Sequence, residues 1–177
     1  MKRTTAREIA IQVGFAAASN KMNPAEVLDN FFDHEHYDTL SSEDELFSEY
    51  PNAKQMDYIR RLVTLIAENL SVIDGYIEMY SKGWKIERIS RTALAVMRCA
   101  ICEIIYMDDI PNSAAINEAV ELCKGYDEPD TVAFVNGVLG GFMRGQFGEK
   151  AAEEVKPAAE AAETEKTEEA DSEQVGE

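Results

Sequence analysis

Cysteine is scarce in this chain: Cys99, Cys102 and Cys123 are the only three in 177 residues. An odd number at this spacing does not build the disulfide framework of a small secreted domain, and a reducing cytoplasm is the expected compartment. Proline and glycine are also few, at 5 and 10, which excludes collagen-like and low-complexity readings for most of the chain. No apolar run approaches the roughly 20 residues that a membrane helix needs, so no membrane association is expected. The opening stretch from Met1 to Glu8 is basic but lacks the continuous apolar segment of a signal peptide. Histidine occurs only as His34 and His36. There is no G-x-S-x-G and no H-E-x-x-H, and Gly137, Gly140 and Gly141 lie in a helix-like context with no strand before them. Enzymatic chemistry has no motif to stand on, and neither a metal nor a cofactor is expected.

Acid is what the chain has in excess. The formal net charge is −17, against the basic surface usual for a phosphate-binding protein. The segment from Glu149 to Glu177 holds 11 acids and 3 lysines, a net of −8, which leaves −9 on the rest. That segment has no aromatic residue and only Val155 and Val175 as larger aliphatics. It cannot bury enough surface to offset its ordering entropy. The chain therefore divides into a globular part, 1–147, and an acidic disordered tail, 148–177, whose expected role is solubility.

The globular part reads as helix throughout. Thr5 and Glu8 form a T-x-x-E capping box ahead of Ile9, Val13 and Ala17. Asn23-Pro24 supplies a cap and a first-turn proline for a second helix. The polar stretch from His34 to Asn52 is expected to be a loop with a short helix after Ser42. Ile59, Leu62, Val63, Ile66, Leu70, Ile73 and Ile77 recur at three- and four-residue steps, which predicts one helix from about Lys54 to Tyr80. A central helix from Ile86 to Tyr106, bent near Ser90, follows the Gly83-Trp84 break. Asn112 or Ser113 caps the next helix, and Pro129 precedes the last. No alternating strand pattern competes. The expected fold is all-α, a compact bundle of about seven helices.

Two groupings of metal-ligating residues are weak. Asp33-His34-Glu35-His36 reads as a solvated loop without a fourth ordered ligand. Cys99 and Cys102 have C-x-x-C spacing, but inside an apolar helix with no second pair, so they read as buried small hydrophobes. A third grouping points to nucleic acid. Lys2, Arg3 and Arg7, with Lys21 beyond the first helix, form a basic cluster, and Arg3 and Arg7 are four apart on that helix. Phe15, Tyr80 and Phe134 are aromatics near helix ends, where single-stranded RNA is gripped by stacking while cations hold phosphates.

Two C-terminal motifs carry a family resemblance. Asp109-Ile110-Pro111 followed by Ala115-Ile116-Asn117-Glu118-Ala119-Val120-Glu121-Leu122-Cys123-Lys124, and then Phe134-Val135-Asn136-Gly137-Val138-Leu139, resemble hallmark segments of the NusB family. Ala6-Arg7-Glu8, Ile73-Asp74, Met97-Arg98 and Glu103-Ile104 fall at matching places, so the likeness runs in order from about Arg3 to Phe142. Within these motifs, Asn117 and Asn136 are expected to tie their helices to neighbouring backbone. Gly137 is expected to allow close helix approach, and Glu118 to pair with Lys124 or Arg98.

The resemblance implies two small helical subdomains and a non-enzymatic transcription antitermination factor. Such a factor binds single-stranded boxA RNA of ribosomal RNA leaders together with NusE, a small-subunit ribosomal protein, within an RNA polymerase antitermination complex. By motif position it implies Lys2, Arg3 and Arg7 as phosphate contacts, and Tyr80 and Phe134 as base or sugar contacts. Phe15 stands where the family often has tyrosine. The partner surface is expected on the Ile86–Tyr106 helix through Arg88, Arg91 and Arg98, and a homodimer is among the arrangements the family allows. The thin basic run, and Ala133 where a basic residue is common, depart from the pattern. They leave an alternative: a helical protein-interaction module on the same fold with little intrinsic RNA binding.

Overall fold

In the computed structural model, which describes residues 1–20 and 23–153, the chain runs α1 (Arg3–Asn20), α2 (Pro24–Phe31), α3 (His34–Glu43), α4 (Ala53–Glu68), α5 (Leu70–Tyr80), α6 (Arg91–Tyr106), α7 (Asn112–Tyr126), α8 (Pro129–Phe147) and α9 (Glu149–Glu153). Two 3₁₀ turns, Glu45–Phe47 and Ile86–Arg88, precede α4 and α6. The described residues contain no strand. The all-α reading stands, with nine α-helices among these residues instead of about seven.

Side-chain caps explain several helix starts. Asn52 accepts from Lys54 N and Gln55 N at 3.1 Å each, while Gln55 Oε1 accepts from Asn52 N at 2.8 Å. This capping box opens α4. Asn23 Oδ1 accepts from Ala25 N at 2.9 Å and Pro24 occupies the first turn of α2, as the sequence indicates. Ser90 Oγ accepts from Ala93 N and starts α6 where a bend was expected.

Other expectations are corrected. Thr5 is not a cap, because α1 already begins at Arg3. The 34–52 stretch is mostly helical, not a loop: Asp33 caps α3, Ser42 lies inside that helix, and the short helix expected after Ser42 is the 3₁₀ turn Glu45–Phe47, capped by Asp44. The organising residue is Tyr37, which is buried, stacks on Phe32 at 5.8 Å, meets Phe47 edge-on at 5.8 Å and donates to Glu49 O at 3.0 Å. The predicted helix over 54–80 is two helices. Asn69 adopts φ −115°, ψ 16°, and its Nδ2 donates back to Leu65 O at 2.9 Å. The apolar stripe survives the break, with Ile59, Leu62, Val63, Ile73 and Ile77 all buried. Pro111 holds the cap position of α7 without a side-chain bond, so Asn112 and Ser113 lie within the helix.

The helices form two groups. α1 packs on α2 and α4, and α2 on α4; α5, α7 and α8 surround α6, and α9 contacts α8. α6 is shared, touching α1 and α4 as well, and one continuous apolar core runs through both groups. Cys99, Cys102 and Cys123 are buried and unbridged. No described helix is long and apolar enough to cross a membrane. The first residues of the expected tail form α9, with Ala152 buried. Lys21 and the remainder of the tail lie outside the described residues.

Candidate nucleic-acid interface

Lys2 and Arg3 are exposed where α1 begins. Cations at a helix N-terminus oppose its dipole, and the first turn of α1 has no acid, so helix stability does not account for them. Arg3 and Lys54 line a notch of about 200 Å³ with Asn52 and Gln55. Lys54, exposed in the first turn of α4, is a cation the sequence pattern did not associate with this end. Asp109 is also within electrostatic reach: its hydrogen bond and ion pair to Arg61 (2.9 Å) hold its carboxyl below the usual range, and Arg3 adds to the effect.

Arg7 was expected on phosphate and is instead in the core, 1% exposed. Its Nη2 and Nε donate to Glu103 Oε1 at 2.9 and 3.1 Å, and its Nη1 donates to Glu118 Oε2 at 3.1 Å. Tyr58 Oη donates to Glu103 Oε1 at 2.5 Å, and Thr4 Oγ1 to Glu118 Oε2 at 2.7 Å. Burial alone lowers the guanidinium pKa, but Glu103 and Tyr58 override it and the net shift is upward. Burial, with Cys99 and Glu103 adding, likewise pushes the Tyr58 phenol well up. Arg3 is the first residue of α1, at its exposed end, whereas Arg7 lies one turn further in, where the buried carboxylate of Glu103 needs a partner.

The aromatic residues fall on two other elements. Tyr80, at the end of α5, is half-buried against α8: a Cβ on Gly145 would lie 2.0 Å from its Oη and one on Gly141 3.4 Å from its ring. Gln146 Nε2 donates to its hydroxyl at 2.8 Å. Phe134, half-buried near the start of α8, packs on Trp84 with ring centroids 5.7 Å apart. Trp84 is 55% exposed between Lys82 and Lys85, the sequence signal that marks it beyond its place in a turn. Phe15, 38% exposed, lies on α1 beneath the Arg91 guanidinium, 5.7 Å from the ring centroid. It separates two apolar grooves of about 320 and 390 Å³, both of which also touch Ile11 and Ala95.

Of the expected partner-facing arginines, Arg88 and Arg91 are exposed. Arg98 is committed to Asp74 through two bonds of 2.7 Å and is 18% exposed. The motif residues also sort differently from expectation. Glu118 pairs with Arg7, while Lys124 pairs with Glu121 at 2.6 Å. Asn117 Oδ1 is buried with no hydrogen-bond partner among the described residues, so the expected tie through this oxygen is not found there. Asn136 is half-buried on α8. A Cβ on Gly137 would meet nothing within 4 Å, so close approach belongs to Gly141 and Gly145 instead. His34 stacks on Tyr50 at 4.5 Å.

The NusB family model matches residues 4–144. A transcription antitermination protein NusB from Acetivibrio thermocellus is 39% identical over 79% of this chain and 87% of its own length. One from Clostridium botulinum is 36% identical over 79% of this chain and 98% of its own. Among solved structures, T. maritima NusB is 26% identical, covers 87% of this chain and 98% of its own, and superposes with a TM-score of 0.67.

Proposed function

Because the chain belongs to the NusB family of transcription antitermination proteins, we propose that it works in the cytoplasm by binding single-stranded boxA RNA of ribosomal RNA leaders together with NusE, within an RNA polymerase antitermination complex. The observation that carries this reading is a family match spanning the helical body, with exposed Lys2 and Arg3 at one end and the half-buried rings of Tyr80 and Phe134 on α5 and α8. Cations at one place and rings at another suit a flexible strand that is held by phosphates and stacked by bases. The acidic residues beyond α9 act as a separate solubilising segment.

The test is binding of labelled boxA-type RNA, against a scrambled strand, with and without NusE, over a salt series. With Arg7 withdrawn into the core, Lys2 and Arg3 leave about two phosphate contacts. At roughly 0.7 each these two contribute about −1.4 to the log–log salt slope of the protein alone. Selective binding strengthened by NusE is expected. Absence of selective binding with NusE present refutes the reading. The second reading, a protein-interaction module, is favoured specifically by Arg7's burial and the −9 carried outside the tail; NusE binding without RNA selectivity would establish it.

A further inference from the structure

The turn after α5 fixes Trp84 outward by unusual backbone means. Lys82 has φ 48° and Gly83 φ 91°, two consecutive left-handed residues. For a lysine this conformation persists only where the surroundings impose it. Ser81, 2% exposed, supplies the anchor: its hydroxyl lies 2.8 Å from Trp84 O and 3.1 Å from Glu78 O, and Trp84 N donates to Ser81 O at 3.3 Å. The backbone on either side of the indole is thereby tied down. The ring itself rests against Phe134 at an interplanar angle of 50° and stays 55% exposed. Tryptophan is ordinarily highly buried, so a fixed, solvent-facing indole calls for a ligand.

Its surroundings say which kind. Lys82, Lys85 and Arg88 are all exposed, with Glu87 the only acid from 82 to 88. The local balance is therefore positive in a chain of net −17. A presented ring between cations is the arrangement that stacks a base while neutralising its phosphates. The ring is also continuous with Phe134, already part of the proposed surface.

We propose that the Lys82–Arg88 loop is a subsite for single-stranded RNA, with Trp84 stacking on a base and Lys82 and Lys85 holding the adjoining phosphates. This rests on the RNA-binding reading and extends it by one residue platform.

Trp84 is the only tryptophan, so intrinsic fluorescence reports on it alone. The full chain is titrated with boxA-type RNA while the anisotropy of the labelled strand and the tryptophan emission are read in parallel. Quenching that saturates with RNA occupancy is expected. Trp84→Phe should retain most of the affinity and Trp84→Ala should lose about tenfold, within the range for one stacked base. Lys85→Gln should lower the salt slope by about 0.7. Unchanged emission at full RNA occupancy overturns the subsite and leaves RNA binding standing; this readout needs no variant, so misfolding of Trp84→Ala cannot mask it. A folded Trp84→Ala protein that keeps its RNA affinity but loses NusE would assign the loop to the protein partner and also overturn it. Absence of RNA binding by anisotropy removes the RNA-binding reading itself, and the subsite with it.

Discussion

Arg7 is four residues from Arg3 and does the opposite job. One is exposed; the other is walled in with Glu103, whose side chain is 0% exposed. Removing one partner of such a pair strands a buried charge, which costs about 3–5 kcal/mol out of a total that is itself typically about 5–15 kcal/mol. Arg7→Ala should therefore shift the urea midpoint strongly down while leaving the RNA salt slope of the surviving folded protein unchanged. The double change Arg7→Met with Glu103→Gln should recover much of the loss. A slope that falls with Arg7→Ala and an unmoved midpoint would return Arg7 to the phosphate set. Sequence spacing made Arg3 and Arg7 look equivalent because helical periodicity says which side chains share a side, not whether that side is wet. The deciding residue, Glu103, lies 96 positions away.

At the scale of single elements, α8 contains two kinds of glycine. Gly137 has open space where a Cβ would go, whereas Gly145 has the Tyr80 hydroxyl there. Gly137→Ala should stabilise by about 0.5–1 kcal/mol, the helix-propensity difference. Gly145→Ala must push Tyr80 aside and should destabilise by about 1–3 kcal/mol. Thermal unfolding of the two variants checks the sign of each. Local signals in the sequence placed most helices correctly: Asn23-Pro24, Pro129 and the 3.6-residue apolar stripe mark features present in the structure. They failed where a decision was tertiary. Asn69 breaks α4 from α5 without disturbing the stripe, so periodicity could not see it. α3 is dominated by polar residues and is held by Tyr37 against Phe32 and Phe47, contacts that periodicity along one helix does not reveal. The site was legible in part: Tyr80 and Phe134 are half-buried at the helix ends where the sequence pattern sets them, whereas Lys54 shares a notch with Arg3, and Trp84 meets Phe134, only through the fold.

For the molecule as a whole, buried protons should make alkali the weak side. Burial pushes the Tyr37 phenol up to about 12 from 10.0, the Cys102 thiol to about 12 from 9.0, and Cys123, with Asp127 adding, to about 11. Each folded value is raised, so the folded state keeps protons that the unfolded chain gives up. The contribution is complete below about pH 9 and is lost progressively as pH rises toward 12. Urea midpoints measured over that interval should fall steadily, and Tyr37→Phe should flatten the fall above pH 10. A flat profile would mean these groups are as accessible in the folded protein as in the unfolded chain.

The Arg7 pairing also bears on synthesis. Glu103 leaves the ribosome 96 residues after Arg7, and Glu118 111 residues after it. At roughly 5–20 residues per second this is a wait of about 5–20 s. During that interval the first helix carries an unmatched charge and cannot seat on α6, so the end of the molecule that is made first must wait for α6 and α7 before it is finished.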